Sequence, residues 1–317
     1  MTAPRITAAI CTYDRYDLLK KAVSSLARQN LAAQDFEILV IDNSPDAAKS
    51  KDFAKAYAGI PNLRWTIEKT PGLSNARNVA TDLARAPFIA FMDDDAIAGP
   101  KWLEMLLAAF SDFGDAANVV GGRVDPIWGV PRPAWLPDNL LGYVSVVNWG
   151  GAARYAAETE WVAGTNIAFR VSALKDVGGF PIHLGRNKGG QALLSNDESD
   201  VVQKMAAKGS RLIYAPDAVV EHLVPQERLN QSWFRRRSAW QAVSDYLLDP
   251  VGSFEKAANY WPGVTHYFSL LPPKHRTPRG LYVDQSDPEM VHKQMSAIYN
   301  FTLATLAGFK GIDGGHL

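Results

Sequence analysis

Three consecutive carboxylates, Asp93-Asp94-Asp95, follow directly on the apolar run ending in Phe91-Met92. Charge of one sign at that density is costly unless a cation or water relieves it. Hard oxygen donors of this kind suit Mg²⁺ or Mn²⁺, and either ion can bridge diphosphate oxygens and stabilise a departing nucleotide. The plainer alternative is a solvated acidic turn, or an N-cap for the segment that starts near Pro100. A second acidic group, Asn196-Asp197-Glu198-Ser199-Asp200, opens an amphipathic pattern carried by Val201, Val202 and Met205. The helix macrodipole alone also favours Asp and Glu there. His222, after the apolar Ala218-Val219-Val220, is either a metal ligand or a satisfied structural histidine.

Three further polar breaks end or open apolar elements. In Cys11-Thr12-Tyr13-Asp14-Arg15, Tyr13 could stack on a base, and Asp14 could simply cap the next helix. Ile41-Asp42-Asn43-Ser44, followed by Asp46, offers a carboxylate that could accept hydrogen bonds from a nucleoside, although the same residue types build ordinary turns. Gly72-Leu73-Ser74-Asn75-Ala76-Arg77-Asn78 places an arginine in the first turns of a helix, which suits an anionic diphosphate as well as it suits a capped surface helix.

The elements that must position these residues alternate in type. Short apolar runs at 6–11, 36–41, 63–67 and 88–92 read as strands. Helical patterns at 18–26, 47–57 and 74–84 separate them, and 102–110 (helix) and 119–124 (strand) follow. This is the sequence form of an α/β fold: an open, mostly parallel twisted sheet flanked by helices, whose ligands bind beyond the carboxyl ends of the strands. The stretch 125–155 is rich in Pro, Gly and Trp without a period, and is expected to be a substrate loop or a poorly ordered flap. Patterning resumes at Trp161, with a helix over 197–208 and a strand near 211–214. Two regions follow: a catalytic domain over 1–225 and a mainly helical C-terminal region over 226–317.

Lysine plus arginine equals aspartate plus glutamate at 33 each, so no global field draws the chain to nucleic acid. The single cysteine, Cys11, excludes an internal disulfide framework and a multi-cysteine zinc site. A reducing, cytoplasmic setting is the expectation. The N-terminus does not read as a signal peptide, and no run reaches the roughly 18 apolar residues of a spanning helix.

The order of these features carries more than any one of them. Strand-Thr12-Tyr13-Asp14-Arg15, strand-Asp42-Asn43-Ser44, Gly72 with Ala76-Arg77-Asn78, strand-Asp93-Asp94-Asp95, Gly164-Thr165-Asn166, Gly178-Gly179-Phe180-Pro181, Asp197-Glu198 with Asp200, and a final His222 together resemble the family-two glycosyltransferases of the GT-A fold over about residues 5–225. The resemblance implies an inverting transfer of a sugar from a nucleotide diphosphate sugar to the hydroxyl of a saccharide or lipid-linked acceptor, in polysaccharide or glycolipid synthesis. It implies Thr12, Tyr13, Asp14 and Arg15 beside the nucleoside, Asp42 reading base or ribose, and Arg77 and Asp94 on the nucleotide side. Asp93 and Asp95 would be the outer members of an Asp-x-Asp motif for Mn²⁺ or Mg²⁺, with His222 near the metal. Gly164, Thr165 and Asn166 would line the acceptor side, and Glu198, with Asp197 as its neighbour, would be the base. The chain departs from the common pattern at Asp42-Asn43, where many members have Asp-Asp, and at Asp197-Glu198, where many have Glu-Asp.

A dinucleotide dehydrogenase would need a glycine-rich turn after the first strand, which Cys11-Thr12-Tyr13 lacks. A sugar nucleotidyltransferase shares the metal chemistry but also normally carries a glycine-rich phosphate loop, and a non-catalytic nucleotide-sugar or glycan-binding module is the third alternative. Trp233, Phe234, the triplet Arg235-Arg236-Arg237 and the apolar segment 298–309 offer a route to peripheral contact with the inner face of an anionic membrane. Packing of the same aromatics inside the protein is the competing expectation.

Overall fold

A computed structural model describes residues 3–186 and 192–313. Its first elements are β1 (Ile6–Thr12), α1 (Tyr16–Leu26), β2 (Phe36–Asp42), α2 (Ala47–Lys55), β3 (Leu63–Ile67), α3 (Leu73–Leu83) and β4 (Phe88–Asp93). Then come β5 (Ala96–Ala98), α4 (Trp102–Phe113), β6 (Val119–Trp128), β7 (Arg154–Tyr155), β8 (Ile167–Arg170), α5 (Val171–Asp176), α6 (Asp197–Ala207) and β9 (Leu212–Val224). The sheet order is β3-β2-β1-β4-β8-β6-β9-β5, with β7 paired to β9.

Only the first four strands in that order are parallel to their neighbours; β4–β8, β6–β8 and β5–β9 run antiparallel. The fold is thus a mixed α/β sheet, with the parallel half as read from the sequence and an antiparallel half that was not. β1, β2 and β4 are buried on both faces, and their side chains alternate between two cores as the period of two requires. Ile10, Val40 and Met92 join one core with Leu19 and Val23 of α1 and Trp102 and Leu106 of α4. Ala9, Leu39, Ile41 and Phe91 join the other with Ala76 and Ala80 of α3, Leu174 of α5 and Val201 of α6. Strand β1 leads to β2 on one side and lies against β4 on the other, opening a crevice at the carboxyl ends where the order reverses. The register places Thr12 opposite Asp42 and Cys11 opposite Asp93, which gathers the polar breaks of the sequence at one edge.

The stretch 125–155 is folded, not a poorly ordered flap. Its start continues β6, Val124 and Val147 pair across an isolated bridge, a 3₁₀ segment covers Asp138–Val144, and β7 pairs antiparallel with β9. The chain forms two compact units that do not divide at a single point: Met1–Ile127, Ser145–Lys188 and Asp197–Leu223 make the first, and Trp128–Val144, Gly189–Asn196 and Val224–Leu317 the second.

The second unit adds α7 (Gln231–Leu248), α8 (Pro250–Glu255), α9 (Trp261–Leu270) and α10 (Pro288–Asp313). Asn230 caps α7 by accepting a hydrogen bond from the Trp233 N–H, satisfying one orphan donor of the helix start. Phe234, one of the aromatics offered for membrane contact, is fully buried. It packs edge-on against Trp135 with ring centroids 5.4 Å apart, and the Arg235 guanidinium pairs with Asp284 at 2.7 Å. Burying the ring within its own unit removes its apolar area from water without a bilayer. Among the described residues, no helix is long and apolar enough to cross a membrane.

Candidate active site

Asp93 ends β4, Asp95 lies between β4 and β5, and His222 stands on β9 opposite Ala96 of β5. Each offers one ligand atom, and the three atoms lie within 4.8 Å of one another. His222 and Asp95 are almost fully buried, whereas the Asp93 side chain is 34% exposed and gives the cluster its open side. Burial disfavours the Asp95 carboxylate, but the hydrogen bond and charge of His222, with Arg15, outweigh it and hold its pKa well below the usual range. The Nδ1 of His222 is buried and finds no hydrogen-bond partner among the described residues. Two carboxylates and an imidazole so placed are a donor set that fits Mn²⁺ or Mg²⁺.

Asp94 turns elsewhere. It accepts a hydrogen bond from Thr12 Oγ1 at 2.7 Å and pairs with Arg15 at 2.9 Å. Burial pushes its pKa up to about 7 against the pull of Arg15. The same guanidinium reaches Asp95 at 2.5 Å, so Arg15 offsets two of the three aspartates.

Behind the acidic edge lies Arg77 of α3, with a side chain only 4% exposed. It contacts Asp197 at 2.7 Å, Asp93 at 3.7 Å and Glu198 at 3.9 Å, and donates to the Gly164 carbonyl at 3.3 Å. Burial opposes the charge, but Asp197, Glu198 and Asp93 more than restore it. The position expected to meet a diphosphate is thus the internal counter-ion of three carboxylates from β4 and α6. Asp197 also accepts from Ser74 Oγ at 3.2 Å; against the cost of burial, Arg77 and these hydrogen bonds lower its pKa. Glu198 is different: its side chain is 20% exposed, and burial first, then the charge of Asp197, push its pKa up to about 8. Burial likewise pushes the nearby Cys11 thiol up to about 12, so it is no nucleophile at neutral pH.

At the carboxyl ends of β1 and β2, Tyr13 is 39% exposed and free to stack on a flat ring. Asp14 does not cap α1: Arg15 occupies the N-cap, without a side-chain cap bond, and the Asp14 carboxylate pairs with Lys49. Asp42 is fully buried and accepts from Tyr16 Oη at 2.9 Å and from the N–H and Oγ of Ser44. Asn43 donates to the Glu68 and Thr70 carbonyls at 2.7 Å each and accepts from the Gly72 N–H at 2.8 Å. It staples β2 to the segment entering α3, a task a carboxylate without N–H donors could not perform.

Gly164, Thr165 and Asn166 support the site from behind. Thr165 Oγ1 accepts from the Asp93 N–H at 3.2 Å. Asn166 is fully buried, donates to the Arg123 and Ala218 carbonyls and accepts from Trp102 Nε1, so it presents nothing to solvent. Gly164 is required by close approach, because a Cβ there would meet Arg77 Nη2 at 2.5 Å. Gly164→Ala is expected to cost about 1–3 kcal/mol, the usual penalty of overpacking, and to lower turnover by displacing Arg77. Denaturant unfolding checks the first part; an unchanged midpoint would show that Arg77 yields freely.

The sequence model of glycosyl transferase family 2 matches residues 7–178, more than half of the chain. The chain belongs to glycosyl transferase family 2. It is similar to the glucosyl-dolichyl phosphate glucuronosyltransferase of Haloferax volcanii, 27% identical over 260 residues that cover 80% of this chain and 81% of that one. In structure it resembles a mannosyltransferase from Pyrobaculum calidifontis in complex with GDP-Man and Mn2+, with a TM-score of 0.57, 18% identity and coverage of 100% and 77%. It also resembles S. aureus TarS in complex with UDP, with a TM-score of 0.55, 17% identity and coverage of 98% and 92%. At these identities the likeness shows the shared GT-A fold.

Two features of this glycosyltransferase escaped the sequence reading. One is the role of Ser74, which joins Arg77 in holding Asp197; its place next to the helix start reads as capping and nothing more. The other is the pairing of two exposed aromatics, Trp149 from the stretch without a period and Trp161 from where patterning resumes. Only their residue type, large and apolar among glycines, could have drawn attention to them.

Proposed function

We propose that the chain is an inverting transferase that moves a sugar from a nucleotide diphosphate sugar to an acceptor hydroxyl, in polysaccharide or glycolipid synthesis. The observation that carries this reading is that Asp93 belongs both to the Asp93, Asp95 and His222 cluster and to the carboxylates, Glu198 among them, that surround the buried guanidinium of Arg77. Asp93, Asp95 and His222 would hold Mn²⁺ or Mg²⁺, which supplies charge neutralisation to the diphosphate oxygens when bound. Tyr13 stacks on the base, and Asp42, through the Tyr16 and Ser44 groups it orders, shapes the nucleoside pocket. Arg77 keeps Asp93 and Glu198 in place and neutralises Asp197.

Single displacement requires a carboxylate that takes the acceptor's proton while the acceptor oxygen attacks the anomeric carbon opposite the departing diphosphate. Glu198 meets that need: it is accessible and its pKa lies near neutrality. The glucosyl-bearing acceptor implied by the name of the Haloferax relative supports a saccharide or lipid-linked saccharide acceptor, with the catalytic region over 1–225 and an acceptor-side or membrane-side role for 226–317. A cytoplasmic protein, peripheral to the inner face of the membrane, fits such an acceptor.

The test is a screen of nucleotide sugars by thermal shift, with and without Mn²⁺, followed by release of nucleoside diphosphate in the absence of acceptor. A metal-dependent shift with slow release is expected. Asp93→Ala and Asp95→Ala should each abolish the metal-dependent part of binding, since each removes a hard anionic ligand from a site with few alternatives. Undiminished Mn²⁺-dependent affinity in both variants would sink the metal assignment.

A further inference from the structure

Trp149 and Trp161 are 37% and 38% exposed, although leaving that much indole in water forgoes burial of a large apolar area. Neither is loose. Trp149 Nε1 donates to the Trp161 carbonyl at 2.8 Å, and the rings stand 6.3 Å apart at 82°, forming a corner with two aromatic faces. The Trp149 N–H donates to Tyr214 Oη at 3.2 Å, tying the corner to β9. Arg154, on β7, makes two bonds of 2.6 and 2.8 Å to Glu160 and lies 5.6 Å from the centroid of the Tyr214 ring. Glu160 also accepts from the Ala157 N–H at 2.9 Å. The corner is therefore held by the sheet and rimmed by an ion pair, and little conformational freedom remains to be lost on binding.

Its position along the chain is as informative as its rigidity. Trp161 precedes Gly164 and Thr165, which touch Arg77 and Asp93. Four residues span at most about 14 Å even when fully extended. Val162, Ala163, Gly164, Thr165 and Asn166 are all buried, so the exposed residue that precedes them most closely along the chain is Trp161, with Trp149 bonded to it.

We propose that Trp149 and Trp161 form a saccharide platform on which a pyranose ring of the acceptor stacks, beyond the ring that carries the attacking hydroxyl. The C–H groups on a pyranose face are weakly positive and meet the negative face of an indole, while the sugar's rim of hydroxyls meets Arg154 and Glu160. An acyl chain would find the same apolar area but would strip water from the ion pair at its edge, a cost with no compensating bond. The inference rests on the transferase reading above and names the part of the acceptor that the chain grips.

The experiment uses the full chain on a printed glycan array with Mn²⁺ and UDP or GDP. Retention on a subset of glycans is expected, with a loss of at least tenfold in Trp161→Ala and in Trp149→Ala, and recovery in Trp161→Phe, which keeps an aromatic face. Retention unchanged in both alanine variants, retention lost equally in Trp161→Phe, or binding to no glycan would each overturn the platform. Binding to phosphatidylglycerol–phosphatidylcholine vesicles in place of glycans would overturn it as well. The two readings fail separately: a wild-type chain that releases nucleoside diphosphate yet binds no glycan refutes the platform alone. One that releases none from any donor refutes the transferase reading, and glycan retention remains its own readout.

Discussion

Glu198→Gln is expected to lower kcat on the order of 10²–10⁴-fold, the range that a positioned general base contributes, while leaving nucleotide-sugar affinity unchanged. Of the acidic groups at the site, Asp93 and Asp95 belong to the proposed metal site, where coordination would occupy their oxygens and lower their basicity. Asp94 is occupied by Thr12 and Arg15. Asp197 is 3% exposed and committed to Arg77 and Ser74, which leaves Glu198. A fall in rate without a fall in affinity marks an interaction made only in the transition state.

The pH dependence has a definite sign. A base acts in its deprotonated form, so kcat/KM rises with pH through the pKa of Glu198 and levels above it. In the metal-free protein that pKa lies at about 8, raised by burial and then by the negative charge of Asp197; a bound cation nearby shifts it down. The ascending limb is accordingly expected between the ordinary glutamate range and about 8. Asp197→Asn, which removes the neighbouring charge, should move the limb to lower pH. Full turnover by Glu198→Gln with an identified acceptor would refute the mechanism. Greater loss in Asp197→Asn, at equal fold stability, would move the base to Asp197.

Arg77→Leu should produce the largest loss of stability, about 3–5 kcal/mol, the cost of leaving a buried charge without its partner. The guanidinium and the Asp197 carboxylate are 4% and 3% exposed, so water cannot replace either for the other. Asp93 and Glu198 also lose the cation that lies between them. For a chain of this size, that corresponds to a fall of roughly 5–7 °C in Tm. The double variant Arg77→Leu, Asp197→Leu removes both charges and should recover part of the loss, because partners in one network do not add. A double variant as unstable as the sum of its parts would mean that the two side chains act independently.

The acidic strand end and the parallel half of the sheet were legible along the chain for one reason. β1, β2 and β4 are buried on both faces, so each is a near-continuous apolar run, and each polar residue that follows announces a strand end. Asp42, Asp93 and Asp95 could be placed that way from their neighbours alone. The antiparallel half was less legible. β8 has four residues, too few for a period to tell strand from helix, and its pairing with β4 and β6 joins segments far apart in sequence.

Residue types and their order along the chain determined that this is a glycosyltransferase of the GT-A kind and which carboxylates to consider. Tertiary structure decided what each does. Arg77 and Asn166 carry the same donors whether they face a ligand or the core, and only the packed chain shows both buried and committed to internal partners. Asp197 and Glu198 are adjacent and chemically alike. Helix α6 turns one into Arg77 and leaves the other within reach of solvent, a difference of about 100° around the axis that no spacing of letters records.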